Sequence, residues 1–255
     1  MKILLTNDDG IYAKGLIALY NKFAEKHDVT IIAPDRERSA VGHGLTIHSP
    51  VRIKKIDDRF NVNGYAVSGT PADCVKIGIV ELLDQKPDMI ISGINPGANV
   101  GININYSGTA AAAREATLLG IPAIAVSIRG FLTDYYADAA IFTEKLSEKI
   151  LQHGLPKGTF LNVNIPDLPV DKTKGVIISK QGASILDEYF DQRTDTRKKT
   201  YYWYGCTVPA ESEISDIDEN AVLNNFISVT PVRCDMTDYS FLNDLKTWDI
   251  GGFIE

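Results

Sequence analysis

Apolar and polar positions alternate in a way that sets out strands and helices in turn from the first residues. Ile3 to Thr6 is a short apolar run stopped by Asn7-Asp8-Asp9-Gly10, the pattern of a buried strand ending in a turn. Gly15 to Lys26 then places Leu16, Leu19, Tyr20 and Phe23 at helical spacing, and Val29 to Ala33 is a second buried strand closed by Pro34. Strand, helix and strand in so short a stretch form a βαβ unit, which brings the strands together in parallel. Thr70-Pro71-Ala72-Asp73 predicts a helix start, with Thr70 as N-cap and Pro71 in the first turn. Pro87 to Ser92 and Ala123 to Ser127 read as further strands. Helices are predicted over Thr109 to Leu119, stopped by Gly120, and over Asp134 to His153.

Between these elements lie less regular stretches. Asp35 to Pro50 is loop-like, and Val51 to Val67 has β character with a turn expected at Asn63-Gly64. After Pro166 the βα alternation stops. Val176 to Lys180, Tyr201 to Tyr204 and Phe226 to Val232 have strand character, and Ser240 to Trp248 is expected to close the chain as a helix. The expected fold is α/β, a doubly wound and mostly parallel sheet, followed by a β-rich C-terminal segment. The expected division is 1–166 as the α/β body and 167–255 as the appendage.

Composition narrows the functional classes. With 44% hydrophobic and 23% charged residues, the 255-residue chain has the make-up of a globular protein with a sizeable core. Its formal charge of -7 disfavours binding to nucleic-acid polymers or anionic membranes. The three widely spaced cysteines, Cys74, Cys206 and Cys234, form no C-x-x-C pair and have the pattern of reduced thiols. No apolar run approaches the ~20 residues of a spanning helix. Together these features predict a cytoplasmic protein.

Chemistry concentrates in the loops that follow the predicted strands. In an open parallel sheet, ligands bind beyond the carboxyl ends of the strands. There the sequence offers the oxygen donors Asp8, Asp9, Ser39, Asn95 and Asn99. Two carboxylates among neutral oxygens suit a hard divalent cation, Mg²⁺, Mn²⁺ or Ca²⁺, and adjacent carboxylates repel unless compensated. On this spacing a metal site and a plain Asp-Asp-Gly turn are even. Ser107-Gly108-Thr109, opening a predicted helix, has the donors of a phosphate site, although an ordinary Ser/Thr cap is the commoner use. His43, between two glycines, is either a surface residue or a proton donor.

Five segments together resemble the SurE (survival protein E) family of 5'/3'-nucleotidases. They are LLTNDDG (Leu4 to Gly10), APDRERSAVG (Ala33 to Gly42), SGTPADCV (Ser68 to Val75), SGINPGANVG (Ser92 to Gly101) and YSGTAAAARE (Tyr106 to Glu115). A weaker echo lies in YYWYG (Tyr201 to Gly205) and SVTPVRCDMTD (Ser228 to Asp238). The resemblance implies a Rossmann-like body with a C-terminal oligomerisation arm exchanged between subunits, giving a homodimer or homotetramer. It implies one divalent metal ion per subunit, held by Asp8, Asp9, Ser39 and Asn95, and phosphate held by Ser107, Gly108 and Thr109.

The activity expected from the resemblance is release of phosphate from nucleoside 5'- and 3'-monophosphates by metal-assisted attack of water. Asp9 is the candidate for orienting the water and Asn95 for holding the transferring group. Lys14 and Ala116 depart from common family residues, and neither is a proposed ligand. Two alternatives stand beside this reading. A haloacid-dehalogenase-like phosphoaspartyl phosphatase would use Asp8 as nucleophile, but that pattern spaces its aspartates by one residue. A non-catalytic nucleotide or metal sensor would use the same donors without turnover. A dinucleotide oxidoreductase is disfavoured because the first βα turn lacks G-x-G-x-x-G.

Overall fold

The computed structural model describes residues 1–56, 62–183, 187–207, 213–248 and 250. Nine strands build one sheet, in the spatial order β3-β4-β2-β1-β5-β6-β7-β11-β8. Its middle consists of β1 (Lys2–Thr6), β2 (Asp28–Pro34), β4 (Gly64–Val67), β5 (Met89–Pro96), β6 (Ala123–Ile128) and β7 (Thr159–Ile165), all paired in parallel. At the edges, β3 (Ile53–Lys55) runs antiparallel to β4, and β11 (Ile227–Arg233) antiparallel to β7. The short β8 (Val176–Ile178) joins β11 in parallel.

Helices cover both faces, as near-continuous apolar strands require. On one side α1 (Lys14–Phe23) and α4 (Tyr136–His153) pack over Ile3, Leu5, Ile31 and Ile91, with Leu16, Leu19 and Phe23 fully buried. On the other, α2 (Pro71–Ile77) and α3 (Gly108–Leu118) close over Leu4, Ile90, Ala123 and Phe160. The alanine run of α3 is buried throughout Ala110 to Ala113, so this helix sits close to the sheet. The Thr70 cap is a reciprocal box, since the Asp73 amide donates to Thr70 Oγ1 while the Thr70 amide donates to the Asp73 carboxylate.

Strand order reverses direction at β1, with β2 on one side and β5 on the other. The loops after β1 and β5 therefore open beside each other, at the switch point where doubly wound sheets take ligands. Gly15, in the first turn of α1, makes this possible. A Cβ there would lie 2.0 Å from the Ile94 carbonyl oxygen, so only glycine lets the helix approach the end of β5.

Several elements differ from the expectations. Thr159–Ile165 is an inner strand that the sequence pattern did not mark, because Asn162 and Asn164 interrupt its apolar run. The β character over 51–67 resolves into β3 and β4 joined through 56–63, not through a two-residue turn at Asn63-Gly64, and 57–61 lie outside the described residues. The long helix starts at Tyr136, not Asp134, and the closing helix α6 covers only Leu242–Leu245. An unpredicted helix, α5 (Asp218–Leu223), precedes β11. A separate antiparallel hairpin pairs β9 (Asp187–Thr194) with β10 (Thr200–Thr207), which fits a C-terminal arm.

Candidate active site

The loop after β1 is held rigidly by its own asparagine. Asn7 donates its side-chain amide to the Gly10 carbonyl at 3.0 Å and accepts the Gly10 amide at 3.2 Å. Gly10 itself has φ +102, a conformation that L side chains rarely adopt, and its backbone lies against Arg36 of the next loop. A backbone bond, from the Arg38 amide to the Asp8 carbonyl at 2.7 Å, ties the loop after β2 to the aspartates. Ser39 is thus brought beside them, exposed and donating to Glu37 Oε1 at 2.6 Å.

Asp8 is not a solvent-facing turn residue; it is 5% exposed. Its carboxylate sits on the N-terminus of α3. The Thr109 hydroxyl donates to one oxygen at 2.5 Å and the Thr109 amide to the other at 3.2 Å. Gly108 has no room for a side chain, because a Cβ would lie 2.8 Å from that of Asp8. The anion at this helix end is therefore the protein's own aspartate. Burial holds the Asp8 carboxyl above the ordinary carboxylate range, and the Thr109 and Gly108 donors offset only part of that.

Asp9 is less enclosed, and its carboxyl is raised as well. Burial first, then the negative charges of Asp8 and Glu37, push its carboxyl up to about 7. Its Oδ2 atom is buried without a hydrogen-bond partner. A buried orphan carboxylate oxygen that also feels two other carboxylates is an arrangement that a cation resolves. Among the described residues no cluster of three or more His, Cys, Asp or Glu side chains is assembled, so any cation here would rest on two carboxylates and neutral oxygens.

Asn95 reaches the same mouth through a bulge. Ser92 pairs with Ala125 and Asn95 with Ser127, so β5 carries one extra residue between them. The extra residue is accommodated at Gly93, φ +141, where a Cβ would lie 2.4 Å from the Val126 carbonyl oxygen. The Asn95 side-chain amide donates to the Gly97 carbonyl at 2.7 Å, which fixes the orientation of the side chain and keeps Oδ1 out of that bond.

Asn99 turns out to anchor this loop. Its amide donates to Asn164 Oδ1 at 2.7 Å and its side chain to Ser127 Oγ at 2.9 Å. Its carbonyl accepts the side-chain amides of Asn162 and Asn164. Farther along, buried Asp218 accepts the backbone amides of Gly101 and Gly182, so α5 fastens the end of the same segment.

Ser107 is the N-cap of α3. It accepts the Ala110 amide at 3.0 Å and keeps its hydroxyl proton to donate elsewhere. His43 is neither free on the surface nor aimed at the aspartates. Its Nε2 lies 2.9 Å from the carboxylate of buried Glu115, which Lys76 also reaches at 2.5 Å. That bond to His43 is the first cause holding the Glu115 carboxyl below its ordinary range.

Two residues in this neighbourhood escaped the sequence reading. Glu37 acts on Asp9, and Tyr136, at the start of α4, has its phenol held up by burial and then by the charges of Asp9 and Asp167. Glu37 lies within the segment Ala33 to Gly42 but was not singled out there, and Tyr136 carries no motif signal because it reaches the site only through the folding of a separate element.

Comparison with known proteins places the whole chain beside one family. Residues 3–188 match the family described as Survival protein SurE. The chain is similar to a 5'-nucleotidase SurE of Desulfatibacillum aliphaticivorans, 52% identical over 98% of this chain and 99% of that protein. It is 44% identical to a 5'-nucleotidase SurE of Syntrophobacter fumaroxidans, covering 98% of this chain and 100% of the relative. Among solved structures it resembles the SurE protein from Aquifex aeolicus, with a TM-score of 0.85 and 38% identity across 97% of this chain and 99% of the other.

Proposed function

The chain belongs to the survival protein SurE family, and from that membership we propose that it is a phosphomonoesterase of nucleoside 5'- and 3'-monophosphates that requires one divalent cation per subunit. The observation that carries the reading is the pair Asp8 and Asp9. Burial raises both carboxyls, the charges of Asp8 and Glu37 raise that of Asp9 further, and one buried oxygen of Asp9 has no partner. Asp8, Asp9, Ser39 and Asn95 would hold the cation, an all-oxygen set suited to Mg²⁺, Mn²⁺ or Ca²⁺. When bound, the cation supplies charge neutralisation at the phosphoryl oxygens and eases deprotonation of the attacking water.

The remaining steps belong to the chain. Asp9, whose Oδ2 is buried without a partner in the same mouth, is suited to orient the attacking water. Asn95 and the Ser107 hydroxyl hold the transferring phosphoryl group, since such transfer depends on positioning and charge stabilisation. Thr109 keeps Asp8 in place. With its oxygens engaged by Thr109, Asp8 is poorly disposed to act as a nucleophile, which disfavours the phosphoaspartyl alternative.

The decisive experiment is phosphate release from a panel of nucleoside 5'- and 3'-monophosphates, with EDTA and with each cation added back. Turnover restored by Mn²⁺ or Mg²⁺ supports the proposal. Full activity in excess EDTA removes the cation from it, and no release from any nucleotide removes the activity itself.

A further inference from the structure

Beside the site, two large apolar side chains point to a role that phosphate chemistry alone does not explain. Phe131 is 80% exposed and Leu132 is 99% exposed, next to each other in the connection between β6 and α4. That connection leaves the carboxyl edge of the sheet directly beside Asn95, because Asn95 and Pro96 of β5 pair with Ser127 and Ile128 of β6. The Phe131 ring lies against Gly97, where an added Cβ would come within 2.9 Å of the ring's Cε1. Gly97 is the residue whose carbonyl accepts the Asn95 side chain, and its amide donates to Ile128 at 2.7 Å.

The segment is anchored at both ends. Gly130 packs so closely on the Asp167 carboxylate that a Cβ would lie 2.1 Å from it, and buried Thr133 accepts the Tyr135 amide at 3.1 Å. The two apolar side chains are thus held in the solvent by a fixed frame. Adjacent exposed apolar groups at the rim of a polar site mark a place where a ligand covers them.

We propose that Phe131, flanked by Leu132, is the platform on which the base of a nucleotide stacks. This rests on the nucleotide phosphomonoesterase reading and adds to it the source of discrimination against phosphates that carry no base. A phosphate is separated from its base by one sugar, and the ring stands one short loop from Asn95. Stacking on an aromatic face accepts any base, since every base presents a π-face.

The test compares AMP with ribose 5-phosphate on the intact protein and on Phe131→Ala and Phe131→Trp. The expected result is a KM for AMP raised about ten- to hundredfold in Phe131→Ala, with ribose 5-phosphate kinetics unchanged and AMP binding restored in Phe131→Trp. Unchanged AMP kinetics overturns the inference while leaving the phosphomonoesterase reading intact. So do equal losses on both substrates. Unchanged kinetics with a lower molar mass by light scattering would assign the pair to contact between copies of the chain, which also overturns it. If the intact protein releases phosphate from neither compound, the underlying reading fails first and the platform with it.

Discussion

The Thr109 hydroxyl donates to the carboxylate of Asp8 at 2.5 Å, across 101 residues of sequence, and joins the loop after β1 to the first turn of α3. The segment Ser107-Gly108-Thr109 therefore has divided duties. Its glycine makes room for Asp8, its threonine holds Asp8, and its serine caps the helix. Two loops whose sequence signals looked separate, one for a cation and one for phosphate, form a single unit.

Thr109→Val should act through Asp8. The substitution keeps the shape but leaves a buried carboxylate oxygen without its hydroxyl donor. Partners that orient cation ligands are worth about ten- to hundredfold in affinity or activity. Mn²⁺ affinity, read by calorimetry, should fall by that order, and kcat with it. Ser107→Ala should instead leave Mn²⁺ affinity in place, cost on the order of 1 kcal/mol in stability as a lost N-cap, and slow phosphate release, since the Ser107 hydroxyl also serves the phosphoryl group. A Thr109→Val variant with unchanged Mn²⁺ affinity and a raised nucleotide KM would assign Thr109 to substrate and not to Asp8.

The raised carboxyls set a pH dependence in the cation-free protein. For Asp9 the folded value of about 7 stands above the ordinary 3.8, so folding favours the protonated form. Its contribution to stability is complete below about pH 4 and is lost as the pH rises through about 7. In EDTA the melting temperature should fall between pH 5 and pH 8, and Asp9→Asn should flatten much of that slope. Cation affinity should run the opposite way, rising with pH, because the ligands must be deprotonated. A melting temperature that climbs across this window in EDTA would contradict the burial of the pair.

Much of the body was legible in the sequence, and the reasons for the gaps are specific. β1, β2 and β5 announced themselves because buried parallel strands are apolar on both faces and end in polar turns. β7 did not, because Asn162 and Asn164 look like loop residues until Asn99 is seen to take their side chains. β9 carries charge on both faces, DEYFDQRT, and gives no alternation to detect. At the site, Asp8, Asp9, Ser39 and Asn95 were nameable from their loops. The burial of Asp8, the reach of Glu37 and Tyr136, and the pairing of His43 with Glu115 depend on elements far apart in sequence.

Gly15→Ala offers a structural test remote from the charged groups. The added Cβ would stand 2.0 Å from the Ile94 carbonyl oxygen, a backbone atom that cannot swing aside. α1 would have to lift from the end of β5, one residue before Asn95. Overpacking of this kind costs typically about 1–3 kcal/mol. Chemical denaturation should register that loss, and kcat should fall as well because Asn95 shifts with Ile94. A variant with parental stability would mean that α1 is not seated as closely as its contact with Ile94 requires.

The hairpin of β9 and β10 makes the last prediction. Tyr189, Phe190, Tyr202, Trp203 and Tyr204 are 55% to 68% exposed, so these rings do not complete the core of their own subunit. Phe190 and Tyr204 meet edge to face at 5.8 Å, and the Tyr204 hydroxyl donates to Glu188 at 2.9 Å, which preshapes the surface they present. Aromatic residues are enriched in interface cores, and exchange of an identical arm is a low-cost route to a dimer. The expected state at micromolar concentration is a homodimer or homotetramer, measured by light scattering. Deleting 187–207 should lower the molar mass while the sheet, to which neither strand belongs, stays folded by circular dichroism. A 28.0 kDa monomer from the intact chain would end the idea. So would a folded deletion variant that keeps the parent's assembly, since the hairpin would then not be the contact.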